Sequence, residues 1–155
     1  MIKNVFITGG LGQDGIILTK LLNKNKSKLY IITKTDKKTR VGKINFIKSN
    51  LLNKKKIDKI FEKITPHIIV HLASNNPSYM KNDYNLFYKK NFIATKNIFY
   101  STFEANKNAK FIFCSSSQIF KKKYGLVDEK SKVVATTNYT KFRINSHNLM
   151  MKFKK

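Results

Sequence analysis

The chain has 155 residues, enough for one domain over 1–155 with its own core. Its 32 basic and 8 acidic residues give a formal charge of +24, but lysines are strewn through every segment among Asn and Ile, so the charge reads as solvated surface, not a nucleic-acid site. No run reaches the roughly eighteen apolar residues of a membrane span, the N-terminus enters a strand instead of a signal peptide, and the single Cys114 excludes an internal disulfide; a cytoplasmic protein is expected.

Ile2, Val5, Phe6 and Ile7 suit a strand buried on both faces, and Ile16, Leu18, Leu21 and Leu22 suit one buried stripe of a helix over Gly12 to Asn23. Between them stand Gly9, Gly10, Gly12 and Gly15. A turn this tight needs positive φ, and a phosphate approaches backbone closely only where no Cβ intervenes. The amides opening the next helix then point at the anion, and the helix dipole favours its charge. Thr8 through Gly15, with Gln13 and Asp14 inside it, reads as a pyrophosphate cradle for a dinucleotide.

Leu29 to Thr33 reads as a second strand and Lys34 to Arg40 as a polar loop. An acid ending this strand would bond a ribose 2′-hydroxyl, whereas a basic residue accommodates a 2′-phosphate. Lys34 is the expected contact and NADP the expected cofactor, with NAD the alternative; Asp36 stands two residues too late. Lys43 to Ile47 reads as a third strand, followed by Asn50, Leu51 and a helix carrying Ile57, Ile60, Phe61 and Ile64 up to Pro66, which lacks the amide a helix needs. His67 to Ser74 reads as a buried strand, and His71 in it as a packed histidine, not a catalytic one. His67, His71 and His147 are not at metal-ligand spacing, so no metal is assigned.

Asn75 to Asn85, with Pro77, reads as a loop, and a helix follows. Asn91 falls mid-helix, where its side chain competes for backbone bonds; it is either buried in a structural role or solvent-facing. Lys110 to Cys114 reads as the fifth strand, with Cys114 packed inside it. The lysine runs at 54–56 and 121–123 read as solvated charge. The alternation of strands and helices predicts an α/β fold, a doubly wound parallel sheet in order 3-2-1-4-5, with ligands beyond the carboxyl ends of the strands at the switch point.

The Thr8-Gly9-x-x-Gly12-x-x-Gly15 spacing resembles the short-chain dehydrogenase/reductase superfamily, in its extended branch of NAD-dependent epimerases and dehydratases. The wording Gly12-Gln13-Asp14-Gly15 looks most like the GDP-mannose 4,6-dehydratase group, whose members use NADP. The resemblance implies that Asn50 and Leu51 lie at the adenine, where relatives have Asp-Leu, and that Leu72, Ala73 and Ser74 line the cofactor. Asn91 through Asn97 resembles the family's Asn-Val-x-Gly-Thr-x-Asn, with Ala94 for Gly.

Ser115-Ser116-Ser117 and Tyr139-x-x-x-Arg143 resemble the family's serine motif and its Tyr-x-x-x-Lys. Tyrosine, with an ordinary pKa near 10, is a poor base until a cation stabilises its phenolate, and residues i and i+4 share one helix face. The resemblance implies that Ser116 bonds the substrate oxygen, Tyr139 removes its proton, Arg143 stands in for lysine, and hydride passes to the nicotinamide. Lys141, at i+2, falls on the wrong face. Gln118 holds the place of the dehydratase acid and cannot ionise, which sets dehydration apart from oxidation, epimerisation or reduction. The implied enzymes continue into a C-terminal substrate domain that this sequence lacks. The expectation is therefore a nucleotide-sugar enzyme reduced to its cofactor half, acting with a homo-oligomeric or partner chain, or else a non-catalytic dinucleotide-binding module.

Overall fold

The computed structural model describes residues 3–24, 26–35, 40–75, 84–121 and 126–153. Ile2, Asp36, Pro77 and the lysines at 122 and 123 lie outside the described residues. The elements are β1 (Asn4–Thr8), α1 (Gln13–Leu22), β2 (Lys28–Thr33), β3 (Arg40–Val41), β4 (Ile44–Lys48), α2 (Lys54–Lys63), β5 (Ile68–His71), α3 (Tyr84–Ala105), β6 (Lys110–Phe113), a 3-10 turn (Ser117–Ile119) and α4 (Asn138–Met151). They group into two compact units, 1–74 with 94–114, and 75–93 with 115–155.

The first unit holds the sheet, in order β3-β4-β2-β1-β5-β6. Its five parallel strands run β4-β2-β1-β5-β6, which is the expected 3-2-1-4-5. Phe6, Ile32 and Ile69 on one face pack with Leu51, Ile57 and Phe61 around α2 and with Ile98 of α3. Val5, Ile7, Leu29 and Val70 on the other face pack with Leu18 and Leu22 of α1. Burying side chains such as Phe6 and Phe61, both fully inaccessible, contributes on the order of 1.5–3 kcal/mol each. Asn53 caps α2 by accepting from the Lys56 amide at 3.0 Å.

Four expectations need correction. Ile16 and Leu21 are exposed, and the buried positions of α1 are Gly15 and Thr19, because the helix packs so close to the glycine turn that only small residues fit on that side. The polar loop after β2 ends in a hairpin: Arg40 and Val41 pair antiparallel with β4. Gly42 turns the corner at φ 58°. The fourth parallel strand stops at His71, so Leu72, Ala73 and Ser74 are irregular chain beyond it. Cys114 falls just past the end of β6 and is exposed, not packed inside a strand.

The second unit holds the 3-10 turn and α4, which are in contact. Val134 donates to the Ile119 carbonyl at 2.8 Å, and Phe120 bridges antiparallel to Val133. Thr137 and Thr140 cap α4 reciprocally, each side chain taking the other's amide. Asn145 donates to the Tyr88 hydroxyl of α3. Asn91 is buried: its carbonyl accepts from the Asn75 amide at 3.0 Å and its amide donates to the Asn75 carbonyl at 3.2 Å. Of the two readings left open for Asn91, the buried structural one holds.

Candidate active site

In the first unit the expected cofactor residues gather at one end of the sheet. Register places Thr8 beside Ile32 and His71, His71 beside Phe113, and Thr33 beside Lys48, so the chain leaves every parallel strand at the same edge. Lys34 is exposed directly after β2, and Asn50 two residues after β4. The Leu51 side chain is buried in the core, and its carbonyl accepts from Asn97 at 3.0 Å. The Asn50 side chain accepts from the Leu52 amide at 3.1 Å, a local turn that fixes its orientation.

The glycines of the turn are there for different reasons. Gly9 has φ 72°, and a Cβ on it would stand 2.8 Å from the Ala73 nitrogen. A Cβ on Gly15 would stand 2.3 Å from the Gly9 carbonyl oxygen. Both are demanded by the chain's own packing. At Gly12 the added carbon would meet only the Gly9 oxygen, at 3.3 Å, so the fold itself has far less need of glycine there than at Gly9 or Gly15. Gly12 caps α1 with extended backbone and no side-chain hydrogen bond. In any helix the first amides, here those of Gln13, Asp14 and Gly15, lack an intrahelical acceptor. The residues present therefore fit a dinucleotide: a small-residue approach, free amides and the positive end of a helix dipole.

Thr8 is buried under this turn and does not face outward. Its hydroxyl oxygen accepts from the Ala73 amide at 3.2 Å and lies 2.6 Å from Nδ1 of His71, which is itself buried. Nε2 of His71 lies 2.9 Å from the Thr95 hydroxyl. Thr95 and Asn97, both holding strand-end segments from α3, belong to the motif read over Asn91 to Asn97 in the sequence, which gave neither of them a role. The signal for Thr95 was there: parallel register sets Thr8 against His71, and a buried imidazole needs a partner for its second nitrogen.

In the second unit, Ser116 precedes the 3-10 turn and accepts from the Gln118 amide at 3.2 Å, leaving its own hydroxyl proton to donate. Gln118 is exposed. Tyr139 opens α4 half-buried. Arg143, four residues on, is 8% exposed, and its guanidinium carbon sits 4.9 Å from the centroids of both the Tyr139 and the Phe142 rings. The cation thus lies against the ring face, where the π electrons attract it. Lys141 is exposed, away from this cluster. Among the described residues there is no group of three or more His, Cys, Asp or Glu side chains that could hold a metal ion.

Residues 5–152 match the family described as "NAD dependent epimerase/dehydratase family". The chain belongs to that family. No curated protein matches it significantly. Among solved structures, it is similar to the UDP-Glc/GlcNAc 4-epimerase of Campylobacter jejuni, with a TM-score of 0.86 at 18% identity over 97% of this chain and 49% of that one. The UDP-glucose 4-epimerase of Thermotoga maritima, solved with UDP-glucose, gives 0.84 at 17% identity, covering 97% and 50%. The Bordetella bronchiseptica enzyme WbmH, in complex with NAD+, gives 0.84 at 16% identity, covering 99% and 54%. This family member therefore spans about half the length of the structures it resembles. Among its described residues no helix is long and apolar enough to cross a membrane.

Proposed function

We propose that the chain is the cofactor-binding half of an NAD(P)-dependent nucleotide-sugar enzyme of the epimerase/dehydratase type, at work in the cytoplasm. The observation that carries this reading is Gly12, where a side chain would meet only the Gly9 carbonyl oxygen, at 3.3 Å, at the mouth of a helix whose first amides are free for an anion. Thr8, Gly9, Gln13, Asp14 and Gly15 shape the same turn, and the backbones of Leu72, Ala73 and Ser74 follow the neighbouring strand. Lys34 favours NADP over NAD, and Asn50 lies on the adenine side. The Gly12-Gln13-Asp14-Gly15 wording favours a GDP-mannose type of substrate, while Gln118 favours oxidation, reduction or epimerisation over elimination of water.

A bound nicotinamide would supply the hydride acceptor. The chain's own residues do the rest. Ser116 donates a hydrogen bond to the substrate oxygen and orients it. Tyr139 takes the substrate proton as phenolate. The Arg143 guanidinium lies against the Tyr139 ring, whose π electrons attract it, and so keeps a positive charge beside the base. Arginine keeps this attraction where lysine would reach for the oxygen as a point charge.

Titration with NADP+ and NAD+ tests the reading. Gly12→Val is expected to weaken binding by at least about tenfold, a loss of about 1.4 kcal/mol or more, beside a stability loss of roughly 1 kcal/mol from the poorer helix cap. Equal affinity in variant and wild type would remove the proposal.

A second reading, a non-catalytic dinucleotide-binding module that needs another chain, is favoured by one face of the sheet. Along the row Ile7, Val70, Ile112 the exposure climbs from 0% through 7% to 50%. A monomer that turns over a sugar nucleotide unaided would count against this reading.

A further inference from the structure

Three residues distant in sequence meet in the interior of the first unit. Thr8 ends β1, His71 ends β5, and Thr95 lies on α3; they are 0%, 1% and 0% exposed. The Thr8 hydroxyl is 2.6 Å from Nδ1 and the Thr95 hydroxyl 2.9 Å from Nε2, so the imidazole spans from the strand that carries the glycine turn to a helix on one face of the sheet. The Ala73 amide, which donates to Thr8 at 3.2 Å, belongs to the nitrogen that stands 2.8 Å from where a Gly9 Cβ would be. The height of Gly9 over β5 is therefore set by the same hydroxyl that the histidine holds.

The hydrogen bonds admit a direction. Thr8 already accepts from Ala73, which makes its own proton the natural partner of Nδ1; Nε2–H then donates to Thr95, whose proton can turn back to a helix carbonyl as helical threonines do. We infer that the line Ala73 N–H, Thr8 O–H, His71 Nδ1, His71 Nε2–H, Thr95 Oγ1 is a positioning device for the glycine turn, with His71 held as the neutral Nε2–H tautomer. It rests on the proposed dinucleotide site, since its purpose is to hold Gly9 and the opening of α1 at the height a pyrophosphate requires. His71 and Thr95 are positioning residues here; neither touches the reacting atoms. Buried polar lines of this kind rigidify when every member is satisfied and loosen when one is lost.

Two measurements test it together, NADP+ titration and nitrogen-15 NMR of the labelled imidazoles. The wild type is expected to give a His71 signature with Nε2 protonated and Nδ1 bare. Thr95→Val keeps the shape but removes the acceptor; cofactor affinity is expected to fall about tenfold, as for one buried hydrogen bond, and the tautomer signature to collapse. Thr95→Ser is expected to restore both to within about threefold, because it returns the hydroxyl. A purely structural threonine would change stability without moving the tautomer. Unchanged binding and an unchanged imidazole in Thr95→Val would overturn the inference. If that variant does not fold, the wild-type spectrum decides, since a cationic or Nδ1–H imidazole is incompatible with the line. A wild type that shows the expected tautomer but binds neither NADP+ nor NAD+ would sink the dinucleotide reading and the purpose assigned to the line with it.

Discussion

A methyl group added at Gly15 would sit 2.3 Å from the Gly9 carbonyl oxygen and 2.5 Å from the Gly10 Cα, and both obstacles are backbone. Nothing flexible can give way, so α1 must move off the sheet. Gly15→Ala is expected to cost about 3 kcal/mol in urea unfolding, at the upper end of what overpacking does. Gly12→Ala is expected to cost only about 1 kcal/mol, because its methyl meets one oxygen at 3.3 Å and the main loss is that alanine is a much poorer helix cap than glycine. The contrast separates a glycine kept by the fold from one kept by a ligand. Similar losses in both variants would mean that Gly12 is structural too, and the main argument for a phosphate at that turn would go.

At the scale of elements, what was legible in the sequence had a pattern that one segment could carry alone. The apolar run of β1, the amphipathic α2 with Ile57 and Phe61 buried, and the strand–helix alternation all gave the parallel order directly. What was not legible depended on distance to a partner. Ile16 and Leu21 have helical spacing yet are exposed, because the approach of α1 to the turn selects Gly15 and Thr19 as its inner face. Cys114 continues an apolar run by composition, but the ladder ends one residue earlier. The Tyr139 and Arg143 spacing was legible, whereas the seat of the guanidinium against the ring face followed from the packing around Phe142. The contact between α2 and α3 was equally invisible: Lys54 pairs with Asp58 at 3.0 Å and with Glu104, while Ser101 donates to Asp58. Partial burial lowers the Lys54 pKa, but the bonds to Glu104 and Asp58 outweigh it and raise the pKa above its ordinary value. A raised folded-state pKa contributes stability that is complete below the unfolded value and fades as pH rises through the folded one. The tie is therefore expected to persist at neutral pH and to vanish in strong alkali. In Lys54→Met the loss of stability should be below about 1 kcal/mol at pH 7 for so exposed a cluster, and should disappear in strong alkali; a difference that grew with pH would contradict the assignment.

For the whole molecule, charge is the dominant long-range term. With 32 basic residues facing 8 acidic ones, the net +24 must be folded into 155 residues, and most cations can find no carboxylate. Lys54 already engages two of the eight acids. Self-repulsion of this kind destabilises the compact state relative to the expanded chain, and salt screens it over about 8–10 Å at physiological ionic strength. The sign of the response to salt follows from that imbalance. A protein held together by surface ion pairs weakens as sodium chloride is added, whereas this one is expected to gain, its thermal midpoint rising by roughly 2–4 °C between low salt and half-molar sodium chloride, equivalent to about 1 kcal/mol in a domain of this size. Sodium chloride is the right salt for the test, because sulfate would also strengthen apolar burial. A midpoint that fell with sodium chloride would mean that the lysines are paired more extensively than their numbers allow, and that the basic surface is built into the fold and not merely solvated.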